Sequence, residues 1–130
     1  MSRENVEVVR RAFAYEIHGV GDRAEAEAIF DPYVVINPTE EGRSYGLDAI
    51  RDNIAHWKEA WDELEVTAED FAEAGDRVLV TVHHRGRGRG SGIEVEARFY
   101  LLYTMRNGKV VRQDEYAERT EALEAAGLSE

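Results

Sequence analysis

The chain has 130 residues, no cysteine, 27 acidic against 16 basic side chains and a formal net charge of −11. That length suits one domain over residues 1–130, large enough to bury a core without staples, and the lack of cysteine excludes disulfides, thiolate nucleophiles and cysteine metal sites. An acidic surface opposes nucleic acid and anionic membrane as partners, and with no apolar leader or spanning stretch the expectation is a cytoplasmic protein.

Apolar residues at Val6, Val9, Phe13 and Ile17 lie on one helical face and predict a first helix over 3–18, stopped by Gly19 and Gly21. Asp22, followed three residues later by Glu25, predicts the start of a short second helix running to Phe30. Asp31-Pro32 ends it, because the residue before proline is pushed out of the α region. Tyr33–Ile36 reads as a short strand closed by Asn37-Pro38, and 39–44 as a loop. Leu47, Ile50, Ile54, Trp57 and Trp61 predict a third helix over 47–64.

From residue 66 the pattern changes to strands, predicted at 66–72, 77–85, 93–106 and 109–117, with 86–92 as a flexible connection. Asn107-Gly108 between two β-rich runs is the strongest hairpin signal in the chain, since both central residues of a type I′ turn need φ > 0. A short helix over 118–126 closes at Gly127. The order ααβαββββ plus a terminal helix is that of an α+β domain, with a curved, mainly antiparallel sheet wrapped over the N-terminal helices as a cone.

Several segments carry a resemblance: Val35-Ile-Asn-Pro38, Gly46-Leu-Asp-Ala-Ile-Arg51, Gly88-Arg-Gly-Ser-Gly92, Asn107-Gly-Lys-Val-Val111, and Tyr116 followed by Glu121-Ala-Leu-Glu-Ala-Ala-Gly127. Together the chain resembles the SnoaL-like branch of the nuclear transport factor 2-like superfamily over nearly its whole length. The resemblance implies the cone fold, a pocket open at one end, and a homodimer packed through the outer sheet face, where Phe99, Leu101 and Tyr103 are expected. Relatives include ketosteroid isomerases, limonene-epoxide hydrolases, polyketide cyclases and non-catalytic binding modules.

Carried over residue by residue, the isomerase pattern fails. Its aspartate base falls at Asn37, whose amide cannot take a proton at neutral pH. Its tyrosine donor falls at Phe13 and its protonated aspartate at Tyr100. The epoxide-hydrolase trio falls at Arg98, Tyr100 and Glu115, and the cyclases also place a carboxylate near Glu115. A slip of one residue would exchange Glu115 for Asp114.

The catalytic candidates are therefore Glu115 as acid or base, Arg98 as its electrostatic partner and Tyr100 as a donor. Gln113, Glu115 and Ala117 share one strand face; if it lines the cavity, burial raises the Glu115 pKa and Arg98 opposes that rise. The competing reading puts Glu115 in water or in a structural pair. Asn37 and Gln113 are polar handles for a ligand, with Trp57, Trp61, Phe13 and Ile54 as its apolar wall. His84 is placed at the mouth.

His83 and His84 are adjacent on a strand and point to opposite faces, so no metal site is expected. The Arg-Gly run over 85–92 lacks the context of either a nucleic-acid tract or a dinucleotide fingerprint. Two functions follow. One is a cofactor-independent acid/base enzyme of cyclase, hydrolase or isomerase type acting on a small apolar molecule. The other is a non-catalytic ligand-binding or dimerisation module of the same fold.

Overall fold

The computed structural model describes residues 2–37 and 42–128. The strand stop expected at Pro38 and the loop residues Thr39–Glu41 lie outside the described residues. Two helices, α1 (Ser2–His18) and α2 (Arg23–Ile29), lead into β1 (Phe30–Asn37) and a two-residue β2 (Ser44–Tyr45). Helix α3 (Leu47–Lys58) follows, then β3 (Trp61–Ala74), β4 (Arg77–Gly88), β5 (Glu94–Arg106), β6 (Lys109–Tyr116) and α4 (Arg119–Ala126). No described helix is long and apolar enough to cross a membrane.

All six strands form one sheet in the order β2-β1-β6-β5-β4-β3. Every neighbouring pair is antiparallel except β1 with β6. Helix α1 packs against both β3 and β6. Those strands are three spacings apart, about 14 Å across a flat sheet, so one helix touches both only if the sheet curls round it. The main core fills that curl, with Val9, Ala12 and Phe13 of α1 against Val78, Val80 and Val82 of β4 and Leu101 and Tyr103 of β5. A second cluster lies on the outer face, where Ala122, Leu123 and Ala126 of α4 cover Leu79, Tyr100 and Leu102.

Several boundaries differ from expectation. The third helix stops at Lys58, and Trp61 is the first residue of β3. The stripe of apolar residues misleads here because Leu64, Val66 and Ala68 already follow strand alternation. Strand β1 starts at Phe30 and runs through Pro32; its pairing with β6 is irregular between Phe30 and Val35, which is where a residue without an N–H is tolerated. The Arg-Gly run is ordered strand as far as Gly88.

Three irregularities shape the sheet. The pairing of β3 with β4 shifts between Trp61 and Glu63 and again between Ala68 and Asp70, leaving Asp62 and Glu69 as extra residues. That of β5 with β6 shifts between Thr104 and Met105, leaving Val111 extra. Each such bulge bends the strand and exchanges the faces of everything beyond it. The first two keep Trp61, Leu64, Ala68 and Phe71 on the concave side.

The third corrects the expected faces of β5. A two-residue hairpin at Asn107-Gly108 continued without a bulge would set Tyr100 opposite Glu115. Instead Leu101 pairs with Glu115 and Tyr103 with Gln113. Phe99, Leu101 and Tyr103, expected on an outer dimer surface, therefore face inward, and Leu101 and Tyr103 are buried in the core. The outer face of β3–β5 carries charge pairs instead: Arg98 with Glu69, Arg87 with Glu63 and Glu94, and His83 with Glu96.

Gly86 is fixed by what lies over it. A Cβ there would come within 2.8 Å of both the Trp61 ring and the Glu63 carbonyl oxygen, and 3.2 Å of Leu64. Gly86→Ala is therefore expected to lower stability by about 1–3 kcal/mol, the usual range for overpacking, and to shift the Trp61 fluorescence. Urea unfolding followed at the indole band measures both.

Candidate functional site

On the concave face, successive strand positions form rows across the sheet. Val78, Tyr103 and Gln113 share the deepest row; Val80, Leu101 and Glu115 share the next. Beyond them come Val82 with Phe99, then His84 with Ala97. Helix α1 crosses the deep rows and brings Glu16 to them.

Glu16 is a carboxyl in the core, 5% exposed. It follows Val9, Ala12 and Phe13 at the i+7 position of the same buried stripe. The Tyr103 hydroxyl donates to Glu16 Oε1 at 2.9 Å, and the Gln113 side chain also hydrogen-bonds it. Burial raises the Glu16 pKa to about 7, against the smaller lowering by Tyr103 and Gln113. Burial and then the neighbouring Glu16 charge push the Tyr103 hydroxyl well above its ordinary value, so it remains a donor throughout the physiological range.

Gln113 is itself 5% exposed, and its Oε1 has no hydrogen-bond partner in the protein. An ionised Glu16 only accepts, whereas its protonated form carries an O–H that can serve an orphan acceptor. The three side chains thus suit a carboxyl that gains and loses a proton near neutrality.

Toward the wider end of the curl, four rings pack edge to face. His84 lies 5.8 Å from Trp57, 5.5 Å from Trp61 and 5.7 Å from Phe99, and Trp57 lies 5.8 Å from Phe99. Ile54 is partly buried against the core nearby. Burial, then the charge of His83, lowers the His84 pKa, so its imidazole is neutral at pH 7. Trp61 Nε1 and His84 Nδ1 are buried without a partner.

Of the residues expected at a site, Glu115, Gln113, Trp57, Trp61, Ile54, Phe13 and His84 belong to the concave side. Phe13 is buried and meets His18 edge to face at 5.7 Å. Glu115 is half-buried directly across from Leu101, and Asp114 turns the other way. Arg98 and Tyr100 are corrections, because the Val111 bulge puts both on the outer face. There Arg98 forms a two-pronged pair with Glu69, Nε to Oε1 at 2.6 Å and Nη2 to Oε2 at 3.1 Å, and Tyr100 packs under α4.

Asn37 also lies away from the concave row. Its Nδ2 donates to Asp114 Oδ1 at 2.9 Å, and Arg112 Nε donates to Asp114 Oδ2 at 2.8 Å. This network ties β1 to β6. Glu16 was not anticipated; the available signal was a carboxylate standing on the buried stripe of the first helix.

A separate cleft of about 480 Å³ opens at the start of α3, between Arg23, Glu27, Tyr45, Asp48 and Lys109. Its cations are already engaged: Arg23 pairs with Asp48 at 2.8 Å and Lys109 donates to the Glu27 carbonyl at 3.0 Å. No group of three or more potential metal ligands occurs among the described residues.

The sequence matches the SnoaL-like domain family over residues 9–113. No curated protein matches the chain. Among solved structures, a candidate SnoaL-like polyketide cyclase from Jannaschia sp. CCS1 is similar with a TM-score of 0.77 and 22% identity, over 100% of this chain and 96% of that one. TerC, co-crystallised with polyporic acid, gives a TM-score of 0.72 at 21% identity over 95% and 98% of the two chains. A protein of ketosteroid isomerase-like fold from Catenulispora acidiphila, in complex with trimethylamine, gives 0.70 at 18% identity over 95% and 94%. At these identities the likeness establishes the fold.

The raised Glu16 pKa has a consequence for stability. In the unfolded chain the carboxyl titrates near 4.5, in the fold near 7, so between these values the folded state holds the extra proton. The Glu16 contribution to stability is then greatest below pH 4.5 and is lost as pH rises through about 7, by about 3 kcal/mol in all. Glu16→Gln removes this loss. The variant is expected to gain on the wild type by about that amount between pH 4.5 and pH 8, measured as the change in urea-unfolding free energy.

Proposed function

Because the chain belongs to the SnoaL-like domain family, we propose that it is a cofactor-independent acid/base catalyst acting on a small, largely apolar molecule held on the concave face. The observation that carries this reading is the Glu16 carboxyl, titrating at about 7 between a permanent donor and an orphan acceptor. A catalytic group works best when its pKa lies near the operating pH, since both its forms are then populated.

In this reading Glu16 takes a proton from a carbon acid, or delivers one to an oxygen. Tyr103 holds the carboxylate while it is charged, and Gln113 receives the O–H once it is protonated. No metal and no redox group takes part in the proposed step. Trp57, Trp61, His84 and Phe99 hold the apolar body of the substrate. Phe99 lies four residues from Tyr103 along β5, roughly 13 Å of strand, which a molecule of two or three rings spans. The small organic molecules recorded with TerC and with the Catenulispora protein support this use of the fold. Glu115 is a second carboxylate on the same face as Gln113.

A non-catalytic ligand-binding module is the second reading, and the near-complete burial of Glu16 favours it. Turnover separates the two. Against a panel of epoxides and activated carbon acids, Glu16→Gln is expected to lower kcat/KM by at least about 100-fold. Tyr103→Phe is expected to lower it less, and to raise the apparent pKa by removing a bond to the ionised form. In the wild type, kcat/KM is expected to change through an inflection near pH 7, which disappears in Glu16→Gln. Turnover with the inflection intact in that variant would remove Glu16 from the mechanism, and binding without turnover would favour the module.

A further inference from the structure

We propose that Trp61 Nε1 and His84 Nδ1 form a polar anchor inside the aromatic box, taking a neutral, flat group that presents a hydrogen-bond acceptor and donor side by side. The inference rests on the concave face being the ligand-binding face, and it adds which chemistry that face selects.

Both nitrogens are shielded from water and have no partner in the protein. Buried polar groups are nearly always satisfied, so two orphans in adjoining rings, 5.5 Å apart by their centroids, mark where a ligand's polar atoms belong. An indole N–H only donates and therefore requires an acceptor. Since His84 stays neutral, its Nδ1 in the accepting tautomer requires a donor. A carboxamide, or an enol beside a carbonyl, supplies both from one planar group.

Charged groups fit less well. A carboxylate offers nothing to an accepting His84 and would be desolvated without a cation beside it. An ammonium has no acceptor to offer the Trp61 N–H, and the four ring pairs meet edge to face instead of stacking their faces round a cation. The cleft at α3 makes no such demand, because Arg23 pairs with Asp48 and Lys109 donates to the Glu27 carbonyl.

The chain has two tryptophans, so the indole N–H region of a proton–nitrogen correlation spectrum holds two signals, which Trp57→Phe assigns. Benzamide, toluene, benzoate and benzylammonium are then titrated into the wild-type protein. Benzamide is expected to move the Trp61 signal and to bind at least about tenfold tighter than toluene or either ion. His84→Phe is expected to reduce that preference over toluene to about threefold. Equal affinities for benzamide and toluene, an unmoved Trp61 signal, or a preference for a charged probe would overturn the proposal; the wild-type titration decides this even if a variant does not fold. Glu16→Gln separates this inference from the catalytic reading, since it is expected to lower kcat/KM by at least about 100-fold while leaving the Trp61 shift with benzamide in place.

Discussion

Between Thr104 and Met105 the pairing of β5 with β6 slips by one residue, and Val111 is left with no partner opposite. Side chains alternate faces with a period of two, so a slip of one exchanges the whole set beyond it. On the near side of the bulge Met105 and Val110 meet in the core. On the far side Tyr103 meets Gln113 and Leu101 meets Glu115. Both partners of Glu16 reach the same row only because of this one unpaired residue.

The row so formed holds opposing forces. Placing Glu16 among Val9, Ala12, Phe13 and Val78 removes water from a group that is charged at neutral pH in the unfolded chain. Tyr103 and Gln113 hydrogen-bond to it, yet desolvation outweighs them and the pKa rises to about 7. The fold gives up stability above that pH in order to keep a titrating group in its interior. A leucine at the same place on the helix stripe would remove the penalty, so the polar cluster is a departure from local consistency of the kind that marks sites.

Helices, the Asn107-Gly108 turn and the order of elements were readable from the chain because each rests on local chemistry: apolar spacing, capping at Asp22, and positive φ at Asn107 and Gly108, observed at 52° and 77°. That Trp57 and Trp61 come together was readable too, although Trp61 does so from a strand rather than a helix. What escaped was parity. Bulges at Asp62, Glu69 and Val111 belong to the pairing of whole strands, and no local residue pattern announces them. The resemblance put Arg98 and Tyr100 inside with Glu115, and Phe99, Leu101 and Tyr103 outside, a grouping that only an unbulged hairpin would allow. Glu16 escaped for a different reason: one charge on an apolar stripe reads as the stripe's edge until a partner such as Tyr103 is known to face it.

The same slip decides the chemistry as well as the membership of the site. With Arg98 facing inward, a carboxylate beside it would be held ionised, its pKa lowered by the opposite charge, and the concave face would carry a fixed ion pair. With Arg98 outside and paired to Glu69, the groups clustered round Glu16 are an amide and a phenol, so burial dominates and the proton is exchangeable near neutrality. His84, further along the same face, is kept uncharged by burial and by His83. Charge is concentrated on the outer face, where ion pairs between β3, β4 and β5 are solvated and weak. Around Glu16 and His84 the concave face carries groups that are neutral or close to their titration point, with the Glu115 carboxylate further along the same face; in the proposed reading these surroundings suit moving a proton within a bound molecule.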